Sequence, residues 1–133
     1  MGQDRVSIRN PPTLAPPVGY SHMAEVRGGK LAFIAGQVAL DREGQVVGPG
    51  DYRKQAEQVF KNIGLALEAA GGSFKDLVKI TVYLLDFAHA PEVREVRDRF
   101  VDTHRPPTST AVQVSRLFRP EILLEIDAIA SVE

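Results

Sequence analysis

The chain reads as a single α+β domain of element order ββαβαββ, a mixed sheet carrying both helices on one face. Three observations predict this. The hydrophobic period changes from two to 3.6 at Asp51 and keeps the new value for the length of a long helix. A shorter helical pattern opens at Pro91, and apolar β-branched runs precede, separate and follow the two helices. A length of 133 residues suits one ordinary core and is short for two.

Residues 1–13, with Asn10-Pro11-Pro12, are expected to form an irregular N-terminal arm, because proline removes backbone donors; the domain proper then occupies 14–133. Met23–Arg27 and Lys30–Leu40 read as two strands joined about Gly28-Gly29, a two-residue hairpin signal. From Tyr52, the residues Ala56, Val59, Phe60, Ile63, Ala66, Leu67 and Ala70 form one helical stripe, with Asp51 as N-cap and Gly71-Gly72 as stop. Ser73 to Asp76 has capping-box spacing and predicts a helical turn. Leu77–Leu85 is a strand buried on both faces, and Pro91–Thr103 a second helix anchored by Val93, Val96 and Phe100. Strands over Ser109–Val114 and Leu123–Ser131 close the order.

Composition narrows the chemistry. With no cysteine, disulfides and thiolate chemistry are excluded; His22, His89 and His104 lie far apart, so no metal is expected. No phosphate-loop or dinucleotide-binding glycine motif occurs, and no cofactor is expected. No run of about 18 apolar residues and no basic-then-apolar leader is seen, so a membrane span and a secretory signal are not expected and a cytoplasmic location is the default. A net charge of −1 offers no long-range attraction to nucleic acid. Arg94, Arg97 and Arg99 alternate with Glu92, Glu95 and Asp98, which reads as a solvated helix face. An RNA-acting protein would need a basic strip created by self-association.

The last strand holds the most informative acid. Alternation places Glu125 and Asp127 on one face and Leu124, Ile126 and Ala128 on the other. A carboxylate among apolar neighbours is paired, protonated or exposed at a site, because burying it alone costs several kcal/mol. The face away from the helices still carries Phe33, Val78, Val112 and Val114 or their alternates, so a monomer would expose an apolar patch and self-association is expected.

In order and spacing, Phe33-Ile-Ala-Gly-Gln37, Glu68-Ala-Ala-Gly71, Asp76-Leu-Val-Lys-Ile-Thr-Val-Tyr-Leu84 and Leu124-Glu-Ile-Asp-Ala-Ile-Ala130 resemble the RidA family. That family is also called YjgF, and its members have been named endoribonuclease L-PSP or translation inhibitor. The likeness runs from Pro17 to Glu133. It implies a chorismate-mutase-like fold, a homotrimer whose sheets form a central barrel, and ligand clefts between subunits. It also implies cofactor-free hydrolysis of an enamine, imine or related carbonyl compound with release of ammonia. The ligand it implies is a small molecule, with a carboxylate as its candidate anchoring group. Glu125 aligns with the family glutamate that handles the water. Gly36 and the main chain at Ala111 align with ligand-facing positions, and His22 falls near a cleft tyrosine; Tyr20, Ser21 and Gln37 are further cleft candidates.

One position departs from the family. Aligning Val112 to Leu117 without gaps puts Ser109 where deaminating members have a carboxylate-gripping arginine. Serine cannot supply that charge, and Arg105 or Arg94 is the candidate replacement. The alternative is a non-catalytic ligand-binding or chaperone-like homologue that keeps the cleft and has lost turnover.

Overall fold

The computed structural model describes residues 5–133. Strands β1 (Val6–Arg9), β2 (Met23–Val26) and β3 (Lys30–Gln37) precede helix α1 (Tyr52–Ala69). Strand β4 (Leu77–Leu84), helix α2 (Ala90–Arg97) and strands β5 (Thr108–Gln113) and β6 (Leu124–Val132) complete the chain. The main sheet has the order β3-β6-β4-β5. β6 is antiparallel to both of its neighbours, and β4 and β5, joined through α2, are parallel.

The helix stripe packs as its period requires. Ala56, Val59, Phe60, Ile63 and Leu67 of α1 are fully buried against Ile80, Leu84, Ile126 and Ala130 of the sheet, with Val93 and Val96 of α2 in the same core. Both helices therefore cover one sheet face. Each buried valine, leucine, isoleucine or phenylalanine among them contributes roughly 1.5–3 kcal/mol of transfer free energy. Asp51 caps α1 by accepting from the Lys54 amide at 3.0 Å, and Ser73 and Asp76 form a reciprocal capping box around a single 3₁₀ turn. Gln55, fully buried, donates to the carbonyls of Gly48 and Glu121 at 3.2 and 2.8 Å and accepts from the Leu123 amide at 2.9 Å. It ties α1 to the connection that leads into β6.

Three expectations change. The arm expected over 1–13 contains a strand, since β1 pairs antiparallel with β2 from Val6↔Val26 to Arg9↔Met23; residues 1–4 of that arm lie outside the described residues. The hairpin expected about Gly28-Gly29 does not form, because β2 takes β1 as partner and β3 takes β6. Tertiary contacts decide this. Ser131 Oγ donates to the Gly28 carbonyl at 2.8 Å, and the Arg5 side chain fills the space beside Gly29, whose φ of +84° needs no Cβ. Arg5 in turn donates to the Ser131 carbonyl at 2.9 Å and pairs with Asp76 at 3.3 Å.

The second helix ends at Arg97, short of the expected Thr103. Beyond it the amides of Arg99 and Phe100 bond three residues back, a tightening that turns the Phe100 ring onto Phe60 at a centroid distance of 5.5 Å.

The other sheet face is open. Phe33, Leu31 and Val112 are 66, 53 and 39 % exposed there, while Val78 sits half-buried where the β4–β6 register shifts. No described helix is long and apolar enough to cross a membrane.

Candidate functional site

Strand β5 is one of the two edge strands of the main sheet, and the chain before β2 docks against its beginning through a Ser21–Thr108 bridge. Ser21 is buried, donating its amide to the Pro107 carbonyl at 3.2 Å and its hydroxyl to the Pro106 carbonyl at 2.6 Å. That clamp holds Val18 and Tyr20 over the helix-side face of β5.

A cavity of ≈ 240 Å³ opens there. Phe60 of α1, Val82 and Leu84 of β4, and Val93 of α2 supply apolar walls. Ser109 and Ala111 come from β5, Phe87 and Ala90 from the entry to α2, and Val18 and Tyr20 from the docked segment. The charged residues of the lining are Arg94 and Arg97, three apart on α2 and so on one side of the helix. Both approach Gly19, which adopts φ +78°; a methyl group there would lie 3.0 Å from Arg97 Nη2 and 3.8 Å from Arg94 Nε.

The two arginines differ. The Arg97 side chain is 11 % exposed, with its guanidinium held by Asp98 at 2.8 and 3.0 Å. Arg53 and Arg99 are likewise engaged, by Glu95 and Glu57. Arg94 has no carboxylate partner among the described residues. The expectation that this helix face is simply solvated therefore fails for Arg97, and Arg94, although exposed, borders the cavity.

Glu125 lies on the opposite side of the sheet. It pairs with Tyr83, whereas Ser109 pairs with the core residue Ile80, and alternation sends the two sets of side chains to different faces. Beside Glu125 the β3–β6 register shifts between Ile34 and Gln37. Gly36 sits within this irregularity, and its missing side chain makes room for the acid: a methyl there would overlap Glu125 Oε2 and lie 2.7 Å from Cδ. Gly36 thus stands at a strand irregularity and admits the close approach of the Glu125 side chain. Next to Glu125, the Tyr83 hydroxyl donates to Asp127 Oδ2 at 3.2 Å. The Asp127 charge, helped by burial, that hydrogen bond and Glu125, raises the Tyr83 phenol above the ordinary tyrosine range.

The sequence-derived residues thus divide. Ser109, Ala111, Arg94 and Tyr20 come together at the cavity; Glu125 and Gly36 come together on the open face. His22 faces neither, with Nε2 2.6 Å from the Ala15 carbonyl and its amide donating to Asn10. Arg105 is drawn away to the Val6 carbonyl. Gln37 lines a separate surface depression and donates to the Ala35 carbonyl. Arg97, Val18 and Phe87 were not singled out from the sequence; the three-residue spacing of Arg94 and Arg97 beside the apolar Val93 was the available signal. Among the described residues no three His, Asp or Glu side chains are grouped to hold a metal ion.

A mixed sheet with two helices on one face, an open apolar second face and a small cavity at the parallel edge defines a recognisable class of α+β domain. Residues 11–132 match the family described as Endoribonuclease L-PSP, and the chain belongs to that family, the one also called RidA or YjgF. A RutC family protein of Pyrococcus horikoshii is 41 % identical over 115 residues, covering 86 % of this chain and 88 % of its own. TdcF of Escherichia coli, whose name assigns it provisionally to reactive-intermediate deamination, is 35 % identical over 105 residues, 77 % of this chain and 79 % of its own. A solved Rid family protein, YyfB of Yersinia pestis, superposes with a TM-score of 0.85 at 31 % identity, covering 96 % of this chain and 99 % of that one.

Proposed function

We propose that the protein is a cofactor-independent hydrolase of small imines or enamines, releasing ammonia and the corresponding carbonyl compound in clefts formed between its own subunits. The observation that carries this is the placement of Glu125. Its carboxylate occupies space cleared by Gly36 on the open sheet face, while the cavity lies on the helix side. One chain cannot apply both to one ligand. Association through Leu31, Phe33 and Val112 covers the apolar patch and brings Glu125 of one copy toward the cavity region of another. The homotrimer implied by the family fits this need, and a cytoplasmic setting fits the reading.

The chemistry balances without a cofactor. Glu125 accepts a proton from water as the water oxygen bonds to the imine carbon and returns it to the nitrogen, giving a carbinolamine; the carbinolamine hydroxyl proton then passes through Glu125 to the nitrogen as the C=O bond forms and the C–N bond breaks, releasing ammonia. An enamine is first protonated at carbon. Serine-bound TdcF, 31 % identical to this chain with a TM-score of 0.70, supports a small ligand with a carboxylate. The test is release of 2-oxo acid from imino acids generated in situ by an amino-acid oxidase. Wild type should accelerate it and Glu125→Gln should not; equal rates with both would refute the proposal.

Ser109 in the cavity wall favours a second reading, a ligand-binding homologue without turnover. It predicts an inert wild type whose ligand affinity survives Glu125→Gln within a few fold. Nucleic acid is a poorer fit: Arg9, Arg27 and Arg105 share a shallow depression, yet Arg9 is paired with Glu25 at 3.0 Å and Arg105 with a backbone carbonyl.

A further inference from the structure

We infer that the cavity takes a small carboxylate with an apolar or aromatic body, held by the guanidinium of Arg94 on α2 instead of by a cation on β5. The inference rests on the reading of this cavity as the ligand site and adds the class of ligand and its anchor. Three features lead to it. The wall position on β5 is Ser109, which carries no charge, so a cationic partner for an anion must come from another element. The charged lining residues are both cations, and no carboxylate shares the lining. Of these cations, Arg97 is neutralised by Asp98, whereas Arg94 keeps its charge without a carboxylate partner among the described residues.

The remaining walls specify the rest of the ligand. Phe60, Val82, Leu84 and Val93 offer nothing to a polar side chain, and desolvating a hydroxyl or amide against them would be unfavourable. A volume of ≈ 240 Å³ falls below the usual range for drug-sized sites, about 300–1,000 Å³, so the ligand is small. A guanidinium at the mouth and an apolar floor suit a monoanion with one ring or branched chain, its carboxylate outward and its body inward. Arg97 is a positioning residue: its bond to Asp98 anchors it beside Gly19 and leaves the outer place to Arg94.

The test is calorimetric binding of phenylpyruvate, pyruvate, 4-phenyl-2-butanone and phenyl phosphate to the assembled wild type, Arg94→Gln, Arg94→Lys and Glu125→Gln. Phenylpyruvate should bind at least about ten-fold more tightly than pyruvate, which lacks the ring, and than 4-phenyl-2-butanone, which lacks the carboxylate. Arg94→Gln should weaken phenylpyruvate binding about ten-fold or more, with Arg94→Lys between the two. Because Arg94 is exposed, an unchanged thermal midpoint should accompany the loss. No phenylpyruvate binding by wild type, a change under two-fold in Arg94→Gln, or tighter binding of phenyl phosphate would overturn the inference. The hydrolase reading fails separately, by turnover that persists in Glu125→Gln.

Discussion

Replacing Gly36 by alanine should separate activity from stability. A Cβ built on Gly36 lies 2.7 Å from Glu125 Cδ and 2.9 Å from Cγ, against an optimal carbon–carbon contact of about 3.5–4.0 Å. The Glu125 carboxylate must therefore withdraw by about 1 Å. Because Glu125 is long and half-buried, it can do so by leaving its rotamer, at about 0.5–1.5 kcal/mol. Against this, Gly36 lacks a positive φ, and exchanging glycine for alanine at a compatible position stabilises by about 0.4–1 kcal/mol through the unfolded chain. The two effects nearly cancel, so the thermal midpoint should move by only a few degrees. A catalytic group displaced by about 1 Å loses on the order of 100-fold in rate. The assay is steady-state imine hydrolysis with thermal unfolding on the same preparation. A Gly36→Ala variant that melts normally and retains activity within three-fold of wild type would refute the argument that the position of Glu125 matters.

Other perturbations report on the frame around the site. Gln55→Leu leaves two carbonyls and one amide at the α1–β6 junction without their partner and should cost roughly 2–4 kcal/mol, read as a lower urea midpoint at unchanged m-value. Phe33→Glu places a charge in the exposed apolar patch of the open face and should yield monomers by sedimentation velocity with loss of hydrolysis; active monomers would contradict a cleft shared between subunits. Asp127→Asn removes the main cause of the raised Tyr83 value, so the tyrosinate absorbance titration should shift to lower pH. Folding favours protonated Tyr83; its contribution is complete below the ordinary tyrosine pKa and fades as pH rises through the raised folded-state value.

Local patterns carried α1, its Asp51 cap, the capping box at Ser73 and the alternation along β6, because each depends on residues a few positions apart. Longer-range choices were less visible. Gly28-Gly29 has the composition of a two-residue turn, but strand partnership was settled by Arg5 and Ser131, far from it and from each other in the chain. The end of α2 depended likewise on where Phe100 finds Phe60. At the site, Glu125 and the absence of a charge at Ser109 could be read directly. The removal of His22 and Arg105 could not, since each is held by a carbonyl acceptor that only the folded chain brings near.

By itself the sequence determined the α+β class, the family, the acid at Glu125 and the apolar character of the second sheet face. Those follow from side-chain period and motif order, which are properties of neighbours in the chain. Tertiary structure alone decided that Glu125 and the Ser109 cavity lie on opposite faces of the sheet, that Tyr20 and not His22 lines that cavity, and that Arg94 and Arg97 line it together beside Gly19. The physical reason is that a cavity is assembled by packing α2, β5 and the Ser21-clamped segment together, and none of these carries in its own residues the position of the other two.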